Sequence, residues 1–233
     1  QHVQARQTLL QGLDMAPGHP GLLTQAGHLA IELGDWSEAE KLVAAALAAA
    51  PASIDAHHNA GMLHQAMGRD QEAIRAFDIV LKGQPRHQAA WVNMGASLRN
   101  LGMADRALRH FTAGLQIWPD WDVLKYNIAI TRLYLGAWQE AWPDYELRGR
   151  VAGSFDKAPH PATPRWDGGD ASGKTLLVVH EQGFGDTFQF LRFLTQVMGR
   201  AGRVIFVCQK RLHRVLSRLE LFQRGIEIVS DEG

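Results

Sequence analysis

The chain has 233 residues, 46% of them apolar and 21% charged, and its 24 acidic side chains cancel 24 basic ones. This is the balance of a folded globular protein and excludes a disordered polyelectrolyte; without a basic stripe interleaved with aromatics, nucleic acid is excluded as the main ligand. The single cysteine, Cys208, leaves no intramolecular disulfide or cysteine-only metal site and suits the cytoplasm, and no uncharged apolar stretch reaches the length of a membrane span.

Reading from the first residue, several positions recur at a step of 34: Ala5, Ala39, Ala73, Ala107 and Ala141; Pro17, Pro51, Pro85 and Pro119; Gly34, Gly68, Gly102 and Gly136. Gly27, Gly61 and Gly95 keep the same step, with Ala129 in the next copy. Each position has a reason that predicts a helix, a tight turn and a second helix. The small residues let two helices approach closely, the turn glycine takes the left-handed conformation that ends the first helix, and proline stops the second. Leu9, Val43, Phe77, Phe111 and Tyr145 are expected to fill the space between neighbouring hairpins. The pattern of Trp91, Met94-Gly95, Ala107, Phe111 and Pro119 resembles the tetratricopeptide repeat. Residues 1–150 are therefore read as a superhelix of such repeats, with a half repeat at 1–19 and full ones at about 20–53, 54–87, 88–121 and 122–150. The last second helix is expected to carry Trp142, Tyr145 and Arg148. The half repeat at the start predicts a longer array in the parent protein.

Such an array lines a concave surface with the first helix of each pair. Two residues before each small Gly or Ala stand Gln25, Asn59, Asn93 and Asn127, a ladder of carboxamides able to pair with the peptide groups of an extended chain. Beside them Thr24, His58, Val92 and Tyr126 vary, giving a groove of mixed chemistry. The expected partner is a protein or an extended peptide, and pairing with a second copy through the repeats is left open. His57, His58 and His64 are read as packing residues and not as metal ligands, because His57 and His64 occupy slots that the repeat fills with aromatics; no metal is expected.

Residues 151–172, with Pro159, Pro161 and Pro164, read as an extended connector. In 173–233 the apolar runs at 175–180, 203–208 and 226–229 alternate with helical patterns through Phe188, Leu191, Leu194 and Met198 and then Leu212, Val215, Leu216 and Leu219. That order predicts a parallel sheet with crossover helices, an incomplete Rossmann-like α/β segment, so that the fold class as a whole is mainly α. Gly168 and Gly173-Lys174-Thr175 satisfy the spacing of a phosphate-binding loop, but a strand and not a helix is expected to follow, and Gly173-Lys174 is read as the turn that launches that strand. The segment Glu181-Gln182-Gly183-Phe184-Gly185-Asp186 instead follows a strand and precedes a helix, where open parallel sheets bind ligands. Gln182, Gly183 and Gly185 are candidate acceptor or anion contacts. Asp186 is either the cap of a helix starting at Thr187 or a carboxylate placed to take a proton from a hydroxyl.

Residues 138–148, Pro164-Arg165-Trp166-Asp167-Gly168, Gly173-Lys174-Thr175-Leu176-Leu177 and 181–190 together resemble bacterial tetratricopeptide proteins with a glycosyltransferase-like domain. That domain is similar to heptosyltransferases and, more distantly, to O-linked N-acetylglucosamine transferase, of the two-Rossmann GT-B type; the latter also carries an asparagine ladder. The resemblance implies Asp186 as candidate base, with Glu181 less favoured, and a nucleotide sugar bound only by a longer protein, with no cofactor in this chain. It implies that the chain is the acceptor-presenting front part of such a protein, cut at both ends and inactive by itself. The alternative is a non-catalytic interaction scaffold with a degenerate α/β cap.

Overall fold

The computed structural model describes residues 2–151, 164–181 and 183–231, and its contacts divide the chain into two compact units, Gln1–Leu147 and Arg148–Gly233. In the first unit α1 (His2–Met15) precedes four helical hairpins. These are α2 (Pro20–Glu32) with α3 (Trp36–Ala49), α4 (Ile54–Ala66) with α5 (Asp70–Gly83), α6 (Gln88–Asn100) with α7 (Ala104–Ile117), and α8 (Asp122–Tyr134) with α9 (Trp138–Tyr145).

Local chemistry sets these boundaries. At the start of α2, α4 and α6 the side chains of His19, Ser53 and His87 accept the N–H three residues ahead, at 3.1–3.2 Å, which satisfies one orphan donor of each first turn. Each first helix ends at Gly34, Gly68, Gly102 or Gly136, all with φ between 71° and 77°, where a Cβ would be strained. Within the hairpins Ala39, Ala73, Ala107 and Ala141 are fully buried, and a Cβ added to Gly61 or Gly95 would overlap the ring of Phe77 or Phe111. The two phenylalanines are thus seated first inside their own hairpins, against the glycine, and not only between hairpins as their spacing suggests. Each ring also reaches the next hairpin: Phe77 shares a buried cluster with Ala90, and Phe111 with Leu124 and Ile128. The buried apolar clusters of the stack, four among the described residues, each span a junction between neighbouring hairpins. Arg148 falls outside α9, which stops after eight residues, and lies in a 3-10 turn (Glu146–Gly149).

The second unit alternates β1 (Ala171–Val179), α10 (Phe184–Phe190), a 3-10 turn (Leu191–Phe193), α11 (Leu194–Met198), β2 (Ala201–Cys208), α12 (Lys210–Leu216), α13 (Glu220–Gln223) and β3 (Ile226–Ser230). Its sheet has three parallel strands in the order β1-β2-β3. Val204, Phe206 and Cys208 alternate onto the face covered by Leu194, Leu212, Leu216 and Phe222, which form the buried core. Two local expectations are corrected. The segment 188–198 is broken into two short helices and a 3-10 turn instead of one helix. The first strand starts at Ala171, and Gly173, at φ 78°, sits in an irregularity of register between Ala171 and Thr175, its backbone close against Gly202. Lys174 and Thr175 are strand residues, so the phosphate-loop spacing has no helix N-terminus to serve.

Candidate functional site

In the first unit, α2, α4, α6 and α8 pack against one another in succession as well as against their hairpin mates, which puts them on the inner side of the stack. The four carboxamides expected to form a ladder all lie on these helices, yet they are not equivalent. Asn59, 5% exposed, donates to the Thr24 carbonyl of the preceding inner helix at 2.8 Å. Asn127, 8% exposed, donates to the Val123 carbonyl of its own helix at 2.9 Å. Among the described residues the side chains of exposed Gln25 and half-buried Asn93 make no hydrogen bond. Alternate rungs are therefore structural and open.

Two of the four neighbouring groove positions, His58 and Tyr126, carry rings. The His58 ring lies 4.6 Å from that of His87 and 5.8 Å from that of Phe77, and its buried Nε2 makes no hydrogen bond among the described residues. Burial, reinforced by His87 and His28, pushes His58 down to about 4, so it is neutral at physiological pH. Tyr126 packs on Tyr145 with ring centroids 5.8 Å apart. His57 does what a tryptophan does one repeat later: its Nε2 is 2.9 Å from the Pro51 carbonyl, as Trp91 Nε1 is 2.8 Å from that of Pro85. Among the described residues no group of three His, Cys, Asp or Glu side chains is arranged to hold a metal.

In the second unit the loop after β1 lies at the carboxyl end of the sheet. Glu181 is held by the guanidinium of Arg148 through two contacts, at 2.6 and 3.2 Å. Helix α10 starts at Phe184, three residues before the expected Thr187, which places Gly185 and Asp186 in its first turn. Asp186 accepts the Gly183 N–H at 3.1 Å, so one carboxylate oxygen caps the helix from inside. Gly183 has an extended backbone and Gly185 a helical place, and neither has a positive φ, so the pair does not form a left-handed anion cradle. Gln182 lies outside the described residues. At the same edge His180 Nε2 meets Asp231 at 2.7 Å, Asp231 also accepts the Lys210 N–H at 2.8 Å, and Thr187 donates to Gln209 at 3.0 Å. Sequence spacing gave no hint of this network, whose members come from the ends of all three strands.

Residues 1–60 match the family described as tetratricopeptide repeat. That match falls within the first unit, on α1, α2, α3 and the start of α4. It is 25% identical over 246 residues to Protein FlbA of Caulobacter vibrioides, covering 88% of this chain and 41% of that protein. It is 30% identical over 81 residues to the peroxisomal targeting signal receptor of Candida glabrata, covering 35% of this chain and 14% of that one. The chain thus spans less than half the length of these curated relatives. Two solved structures described as MamA superpose with a TM-score of 0.56 at 17% and 16% identity, over 63% and 70% of this chain and 85% and 89% of theirs, a likeness of fold.

The helical stack holds one further set of groove residues that comparison of single positions does not reveal. Gln65 on α4 donates to the Asn93 carbonyl and the Ser97 hydroxyl of α6, at 3.0 and 2.9 Å. One repeat later Arg99 on α6 reaches Asn127 and Thr131 of α8, at 3.4 and 3.5 Å. At the preceding junction the same two places hold Ile31 and Leu63, which share a buried apolar cluster. The signal is a pair matched in kind across each junction: apolar with apolar, amide with hydroxyl, guanidinium with hydroxyl.

Proposed function

We propose that the repeat unit binds a polypeptide in an extended conformation, in the groove lined by α2, α4, α6 and α8. The observation that carries this reading is the pair of open carboxamides, Gln25 and Asn93, facing no partner among the described residues on an otherwise stitched inner surface. An amide offers both donor and acceptor to a peptide group and ignores the side chain it carries, so such a groove selects backbone over sequence. A relative named as a receptor for a targeting signal agrees with polypeptide capture. The test is binding of degenerate peptide pools, capped at both ends, to immobilised chain. Gln25→Ala with Asn93→Ala should weaken retention several-fold at unchanged melting temperature, whereas Asn59→Ala should lower the melting temperature because it removes a buried hydrogen bond. Undiminished affinity in the double variant rejects the open rungs.

A second reading concerns the α/β unit. We propose it as the front of a glycosyltransferase-like domain, with the repeats presenting a polypeptide acceptor to it and a nucleotide sugar bound by a longer protein. It is supported by the parallel order of β1, β2 and β3 and by the position of the loop before α10 at the carboxyl end of β1, where such sheets take ligands. In this reading Asp186 is the base, using the oxygen that does not cap Gly183, while Glu181 is committed to Arg148. Calorimetric titration of the complete gene product with uridine-linked sugars should give saturable heat. No heat at any accessible concentration leaves the non-catalytic scaffold with a degenerate cap.

A further inference from the structure

Gln65 and Arg99 stand at the same place in successive repeats and reach the same two places of the next inner helix, so each serves as a control for the other. The neutral amide of Gln65 makes both contacts at 2.9–3.0 Å, near the ideal for N–H···O bonds. The guanidinium of Arg99 meets instead the side-chain oxygens of Asn127 and Thr131, at 3.4 and 3.5 Å, too long to contribute much. Holding two inner helices together therefore does not account for an arginine at this position, since an amide does it better one repeat earlier.

The cost of the arginine is visible. Arg99 is half-buried, and among the described residues no carboxylate pairs with it. Burial lowers it from the ordinary guanidinium range, with Tyr134 and Tyr126 beside it opposing the shift. Its guanidinium carbon lies 6.0 Å from the centroid of the Tyr134 ring, whose residue is 71% exposed, so a solvent-facing aromatic ring flanks the cation. The other basic side chains of α6 and α8 are occupied: Lys125 faces Asp120 at 3.7 Å, and Arg132 meets Asp144 at 3.3 Å and the Glu140 carbonyl at 3.0 Å. A desolvated cation with unused donors is unfavourable until an anion completes it.

We propose that Arg99 is an anion anchor within the groove, and that its ligand is the carboxylate of an Asp or Glu side chain carried by the bound polypeptide. The guanidinium fork fits a carboxylate through two parallel hydrogen bonds, and the Tyr126 and Tyr134 rings flank the acidic side chain. A lone cation matches a singly charged carboxylate, whereas phosphorylated motifs are taken by clusters of arginines. The assignment rests on the polypeptide-groove reading and adds a side-chain preference to its backbone capture.

The test uses the 233-residue chain and three capped degenerate peptide pools whose central residue is fixed as Glu, Gln or phosphoserine, with affinity read by surface plasmon resonance. The Glu pool should bind about tenfold more tightly than the Gln pool, the worth of one charge-assisted contact. That preference should vanish in Arg99→Gln with binding of the Gln pool unchanged. The variant copies Gln65, so Thr131 keeps a partner, and circular dichroism checks that it is folded. Equal binding of the Glu and Gln pools overturns the anchor and leaves the groove standing. Retention of no pool overturns the groove and the anchor together, and tighter binding of phosphoserine than of Glu overturns the carboxylate assignment.

Discussion

The two units of this chain build their cores by different means. In the repeat unit one solution is written several times: Gly61 against Phe77 and Gly95 against Phe111, each beside a fully buried alanine, Ala73 or Ala107. In the α/β unit every contact is made once, with Phe206, Leu216 and Phe222 each in a different setting around the helix-covered face of the sheet. Repetition turns a structure into its own set of replicates. A residue that departs from its register mates, as Arg99 departs from Gln65, marks a place where packing alone does not dictate the choice. Where nothing repeats, no such contrast exists, and polar groups such as Asp186 have to be judged by their geometry alone.

This contrast can be broken, beginning with the largest effect. Phe77→Ala and Phe111→Ala each remove a fully buried ring and should cost about 3–5 kcal/mol in chemical denaturation. The two costs should agree closely, because the settings match; a large inequality would undo the picture of replicates. A smaller effect separates two glycines that look alike in the sequence. Gly95→Ala forces a methyl group into the Phe111 ring and should cost about 1–3 kcal/mol. Gly185→Ala meets nothing within 4 Å in the first turn of α10 and should be neutral or stabilising by up to about 1 kcal/mol. Equal penalties at both sites would mean that Gly185 serves a bound ligand or a conformation other than the helical turn.

The smallest effect is one of pH. His58 binds its proton at about pH 4 in the folded chain and near 6.5 when unfolded, so between these values the unfolded state holds more protons. Stability is therefore full above the unfolded value and declines as pH falls from about 6.5 towards 4. Burial lowers His64 and His110 in the same direction, while Asp55 opposes the shift at His58. His58→Gln should flatten part of the decline in melting temperature over that window. An unchanged slope would assign the decline to the other histidines.

The repeat architecture was legible because its strictest demands fall on residue types that nothing else replaces. Only glycine is comfortable at the φ of Gly34, Gly68, Gly102 and Gly136, and only a residue without a side chain admits the Phe77 and Phe111 rings. The candidate sites were less legible, for physical reasons. A carboxamide at a groove position can serve a ligand or a neighbouring carbonyl equally well, and the choice between Asn59, which bonds the Thr24 carbonyl, and Asn93, which does not bond its neighbour, is not encoded by residue type. Likewise Gly183-Phe184-Gly185 suits either an anion cradle or the first turn of a helix, and the backbone dihedrals decide. The partners Gln65 with Ser97 and Arg99 with Thr131 are encoded across neighbouring repeats, as residues matched in kind, and not down any one register.

Those matched pairs bear on how an array of this kind lengthens in a genome. Tandem duplication of the stretch from α6 to α7 carries both an acceptor, Ser97, and a donor, Arg99, so that the new junction reproduces the guanidinium-to-hydroxyl contact and the copy is accommodated at once. Duplicating the stretch from α4 to α5 sets Gln65 against a second Leu63 and leaves a half-buried amide facing a leucine. The third hairpin, like the first with its buried Ile31 and Leu29, can therefore be copied without stranding a polar group, and the second cannot.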